Sequence, residues 1–123
     1  MSVVSPEVFV ISFLNRKTVT GQTKARAYGD VPEKRPDRFI TVERVGGVRG
    51  LHMDHPLLAV QAWAGSRAQA MILADQLAAL FTSVLPLEKS VASSTVSSLY
   101  NFPDPLSRAA RYQLTLNLIL MNS

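Results

Sequence analysis

Cysteine is absent from the 123 residues. That excludes a disulfide framework, a thiol nucleophile and every cysteine-based metal site. It fits synthesis in a reducing cytosol. Long apolar runs are also missing: no uninterrupted run approaches the roughly 18 residues that cross a bilayer, so the reading includes no membrane. The N-terminal stretch MSVVSPEVFVISFLNRK has no basic start, is broken by Ser12 and is followed by no small-residue cleavage site, so it does not read as a signal peptide. Aromatic residues are only 7% of the chain, and Tyr100, Phe102 and Tyr112 are not spaced as a base-stacking ladder.

Catalytic signatures are lacking too. There is no G-x-x-x-x-G-K-[ST] phosphate loop and no G-x-S-x-G elbow to activate one of the many serines. His52-Met53-Asp54-His55 places two histidines around a carboxylate, but no third or fourth ligand follows at zinc spacing, so the plain reading is a polar loop. The nine acidic residues lie mostly in charged loops and form no evident acid/base pair. The sequence therefore reads as non-enzymatic, without cofactor or metal.

What is present is enough for one core. Apolar residues make up 47% of the chain and charged residues 18%, which indicates a single globular domain over 1–123 and argues against wholesale disorder. The formal charge is +4, but the basic residues are scattered, unlike the runs that mark nucleic-acid arms.

Ser5-Pro6-Glu7 opens a helix, with a serine cap, a proline at the first helical position and an acid at the positive end of the dipole. The following VFVISFL is apolar nearly all round and must be buried on more than one side. Residues 18–23 read as a loop around Gly21, 24–28 as a short strand, and 29–37, with Pro32 and Pro36, as an exposed connection. Residues 38–45 alternate as a strand: Phe39, Thr41 and Glu43 on one face, Ile40, Val42 and Arg44 on the other. Gly46-Gly47 reads as its end, and residues 48–55 as a long polar connection. Residues 57–64 read as an inner strand, closing a wide hairpin, with Trp63 a packing residue.

Ser66 caps a main helix whose stripe is Ala70, Met71, Ala74, Leu77, Ala78, Phe81 and Val84, stopped by Pro86. Residues 91–100 read as a polar strand near a sheet edge. Phe102-Pro103-Asp104-Pro105 forms a rigid turn. In the last strand Tyr112, Leu114, Leu116, Leu118 and Leu120 share one face, while Gln113, Thr115 and Asn117 share the other. The fold class is α+β: an antiparallel β-sheet packed against a long helix, with an N-terminal helix.

RFITVERVGG, then DHPLLAVQAWA, a helix opening SRAQAMILADQL, Asp104-Pro105 and a closing RYQLTLNLIL together resemble the small tail terminator (tail completion) proteins of long-tailed, non-contractile-tail phages, particularly those of actinobacteria. The resemblance covers residues 38–121 and rests on the order and character of the segments. The N-terminal helix fits the family arrangement loosely, and the basic stretch before Arg38 carries no matching motif. The resemblance implies a virion protein, made in the host cytoplasm, that forms a homo-oligomeric ring, usually hexameric, at the head-proximal end of the tail tube. Such a ring ends tube polymerisation and meets the head–tail connector, and DNA passes through its lumen without specific binding.

A closed ring requires two unlike patches on each subunit. The apolar helix 8–14 and the half-polar outer face of the sheet are the two candidates. The loop 46–55 is expected to be mobile and to reach a neighbouring ring, with Arg44, Arg49, His52 and Asp54 as its contact residues. Three other readings compete. A head–tail connector or head-closure protein would also be small, symmetric and non-enzymatic. A basic nucleic-acid-binding module is prompted by a pI near 9.9. A small enzyme would need a grouping of reactive residues that the sequence does not display.

Overall fold

The computed structural model describes residues 5–121. Two helices, α1 (Pro6–Leu14) and α2 (Lys17–Thr23), precede a short strand β1 (Arg26–Tyr28). Two long strands follow, β2 (Phe39–Arg49) and β3 (Met53–Ala64). The long helix α3 (Arg67–Ser83) comes next, then a 3-10 turn at Leu85–Leu87 and the strands β4 (Val91–Asn101) and β5 (Ala110–Met121). All five strands form one sheet in the order β1-β2-β3-β5-β4. The α+β class expected from the sequence is the observed one. The sheet is mixed, because β1 runs parallel to β2 while the other pairs are antiparallel.

Local chemistry explains most element boundaries. The Ser5 hydroxyl accepts from the Val8 amide, and Pro6 takes the first helical position. The Ser66 hydroxyl accepts from the Gln69 amide at 3.2 Å and starts α3. The α3 stripe consists of Ala70, Leu73, Ala74, Leu77, Leu80 and Phe81. Leu73 and Leu80 thus replace Met71 and Val84, which are exposed, because the buried arc is centred one position away from the expected stripe. By length and composition 67–87 could cross a bilayer, but here this arc is committed to the sheet. It meets Ile40, Val42, Leu58, Val60 and Ala62, together with the expected Tyr112-to-Leu120 face of β5, in one core. The Ser94 hydroxyl donates to the Phe81 carbonyl at 2.6 Å and ties edge strand β4 to α3.

Residues 18–23, expected as a loop, are helical. Thr and Gly are weak helix formers, but Val19 and Thr23 are buried, and tertiary packing overrides propensity. The helix ends at Lys24 in the left-handed region (φ 57°), and the Thr23 hydroxyl accepts from the Ala25 amide. Asn15 then acts as a strand surrogate, because its amide group both accepts from Ala27 N (2.7 Å) and donates to Ala27 O (3.0 Å). Val10, Phe13 and Leu14 of α1 are buried, leaving Val8 outward at 57% exposure.

Arg16, at the start of α2, pairs with Glu88 beyond the 3-10 turn. The hydrogen bond from Arg16 holds the Glu88 carboxyl below its ordinary range. The unfolded chain therefore binds the proton more readily, and the contribution is present above the unfolded pKa and lost as pH falls through the folded one. The pair is largely solvated, so Glu88→Gln should cost at most about 1 kcal/mol near neutral pH. Urea titrations should show the gap from the unmodified chain closing in acid.

Candidate interaction surface

The two segments on either side of Gly46-Gly47 are one continuous strand. β2 does not stop at the glycines but runs to Arg49, and β3 begins at Met53. The expected long connection 48–55 is thus mainly the distal half of a tight hairpin, with Val48 opposite His55 and Arg49 opposite Asp54. A bulge between Arg44 and Gly46 takes up Val45, and Gly47 adopts φ +95°. At Gly47 the facing strand comes so close that a Cβ would lie 2.0 Å from the His55 carbonyl oxygen. Gly47 permits the close strand approach beside the bulge, which a diglycine in sequence does not distinguish from a strand end.

The four predicted contact residues divide into two pairs. Arg44 and Asp54 face each other: Arg44 Nη1 donates to Asp54 Oδ2 at 3.0 Å and Nη2 to Oδ1 at 2.9 Å. Arg44 Nε donates to the Gly46 carbonyl at 3.0 Å, and the Arg44 amide donates to Glu7 Oε2 at 2.7 Å. Asp54 is 2% exposed. This bidentate pair clamps the hairpin internally, so Arg44 and the buried Asp54 already have a structural role within the chain. Arg49 and His52 are exposed at the tip, as a contact role requires.

The apolar character of this tip is not what the sequence pattern suggests. Val45, Val48, Leu51, Met53 and the facing Met121 are all exposed, Val48 by 74% and Leu51 by 79%. The signal is present in VGGVRGLHM, but the interleaved glycines and basic residues make that segment read as a polar loop. β1 pairs with Phe39–Thr41, so among the described residues the arm of β2 beyond Thr41 has no strand on that side, although Glu7 occupies one of its amides. β4, at the far end of the order, is the other open edge.

The sheet face away from the helices carries two ordered systems. Trp63 Nε1 donates to Thr41 Oγ1 (3.1 Å), Thr41 Oγ1 to Gln61 Oε1 (3.0 Å), Gln61 Nε2 to Gln113 Oε1 (2.9 Å), and Gln113 Nε2 to Tyr100 OH (2.6 Å). One hydrogen-bond chain therefore links β2, β3, β5 and β4. Beside it, Trp63 stacks on Phe39 with centroids 5.0 Å apart. The Arg111 guanidinium lies 4.9 Å from the Trp63 ring and 4.6 Å from Phe102, and Arg111 Nε donates to the Phe102 carbonyl at 2.7 Å. Burial pulls the Arg111 pKa down from its ordinary value.

Trp63 is thus a packing residue, as expected, but its partners are Phe39 and arginines on the face opposite α3. Trp63→Phe keeps the stack and removes the donor to Thr41. It should cost about 2 kcal/mol in a denaturant titration, about 1 for the hydrogen bond and the rest for the volume left unfilled at this buried site.

Chemically, this surface offers rigid apolar and basic contacts. Among the described residues no three His, Asp or Glu side chains gather as a metal site. No family model matches the chain, and no curated protein matches it.

Proposed function

We propose that this chain is a structural virion protein that forms a hexameric ring at the head-proximal end of a phage tail tube. There it ends tube polymerisation and joins the tail to the head–tail connector. The observation that carries this reading is a pair of unlike open surfaces on one sheet: the β4 edge at one end, and at the other the clamped β2–β3 arm with its exposed apolar tip. A head-to-tail ring needs two different patches of this kind. An apolar tip rimmed by Arg49 and His52 has the composition of a contact surface, with an apolar centre and a polar rim. The segment order over 38–121, which resembles tail terminators, adds the location, the partners and the subunit number. The role is structural, with DNA traversing the lumen and no chemistry required of the chain.

Val48→Asp tests the self-assembly part. Val48 is exposed, so folding stability should change by no more than about 0.5 kcal/mol, while the oligomer should fall apart in light scattering. Unchanged oligomer mass would remove the tip from the subunit contact. Arg49→Glu tests docking: a rim charge adds little to the subunit contact that the apolar centre of the tip makes, so rings should persist, but binding to tail tubes or connectors in a pull-down should weaken. Undiminished docking would count against Arg49 as a contact.

A further inference from the structure

Three cations share one cleft where α2 meets β1. The cleft, about 230 Å³ in volume, is lined by Lys24, Arg26 and Arg38 together with Tyr28, Thr20 and Pro36. The ion pairs found among the described residues engage Arg16 and Arg44 and leave these three cations without a carboxylate partner. Glu33 and Asp37 belong to the same connection as Arg38, but neither lines the cleft. Arg38 Nε is buried and finds no acceptor among the described residues. Leaving a buried guanidinium N–H unmatched is costly, so a shift of the covering atoms that admits an acceptor is favoured. Lys24 ends α2 in the left-handed region and lines the cleft.

We infer that this cleft binds a phosphate group. Two guanidinium forks and an ammonium supply planar bidentate donors and a mobile point charge, the combination that suits a tetrahedral oxyanion. The volume is below the roughly 300 Å³ at which pockets for drug-sized ligands begin, which favours one small anionic group over an extended ligand. The phosphate can come from a free or terminal phosphate, or from the phosphodiester backbone of DNA. The inference is independent of ring formation.

The test is a titration of the isotope-labelled full chain, followed by the backbone amides and arginine Nε–H signals in NMR, with sodium phosphate against chloride at matched ionic strength. A parallel arm uses a short DNA duplex. Phosphate should move the signals of Lys24, Ala25, Arg26 and Arg38, including Arg38 Nε–H. Arg38→Gln should weaken binding by about 10-fold or more, the weight of a charge-assisted contact. Arg26→Gln, altering an exposed residue, should weaken it with the fold's spectrum intact.

Binding of the duplex at far lower concentration than phosphate, lost on adding salt, would support the inference with DNA as the source. Binding of phosphate without that advantage would support it with a free phosphate as the source. The inference is overturned if neither probe moves these signals, or if both variants bind as the unmodified chain does. It is also overturned if a glutamate-rich peptide displaces phosphate at equal concentration, which would make the cleft a site for an acidic protein segment.

Discussion

Replacing Asp54 with alanine is expected to cost about 3 kcal/mol of folding stability, the low end of what breaking a buried ion pair does. The low end applies because the Arg44 side chain keeps 25% of its exposure, whereas that of Asp54 keeps 3%. Without the carboxylate, two guanidinium N–H groups lose acceptors at 2.9 and 3.0 Å, and only the Gly46 carbonyl still holds the Arg44 head. Urea denaturation of Asp54→Ala, Arg44→Ala and the double variant measures this directly. The double variant should be less destabilised than the sum of the two single variants, because each single change strands a charge that the double change removes. Strict additivity would mean that the two side chains do not act as a clamp. Amide exchange at the tip should quicken in Asp54→Ala, since the pair fixes the arm close to its bulge.

Gly47→Ala should be comparably damaging, again about 3 kcal/mol, from left-handed strain of order 1–3 kcal/mol plus the clash. The added methyl would meet the His55 carbonyl oxygen at 2.0 Å, Leu57 N at 2.9 Å and Pro56 Cα at 2.9 Å, all of them backbone of the facing strand. Backbone atoms in a ladder cannot turn aside as a flexible side chain can, so the strands must part or slip. Gly46→Ala supplies the comparison: its Cβ would meet only the Leu57 side chain, at 3.8 Å, and that substitution should be mild. Equal midpoints for the two variants in denaturant would refute the close approach at Gly47.

Much of this architecture is legible in the sequence where one residue's neighbours decide its state. Ser5-Pro6 and Ser66 announce helix starts because a cap is a local hydrogen bond. Leu114, Leu116 and Leu118 announce a half-buried strand because alternation needs only a sheet with one covered face. The failures share a physical origin in partners distant along the chain. Val19 and Thr23 form a helix because of what they pack against, against the propensities of the threonines and Gly21. Gly46-Gly47 reads as a stop locally, but its role is set by Pro56 and His55 across the ladder. Of the four residues proposed as contacts, Arg49 and His52 stand exposed at the hairpin tip. Arg44 and Asp54 read as free contacts because nothing in the sequence reveals that the hairpin register brings them into a mutual clamp. The long aromatic and arginine system around Trp63 is hidden for the same reason, since its members come from β2, β3, β5 and the turn after β4.

The central claim is that copies of this chain assemble with one another through unlike surfaces into a closed ring. Light scattering across a concentration series of the purified protein tests it most directly. The account predicts one discrete species at about six times the 13.5 kDa chain mass, since a head-to-tail interface that closes gives a fixed copy number. A monodisperse monomer at every concentration would contradict it.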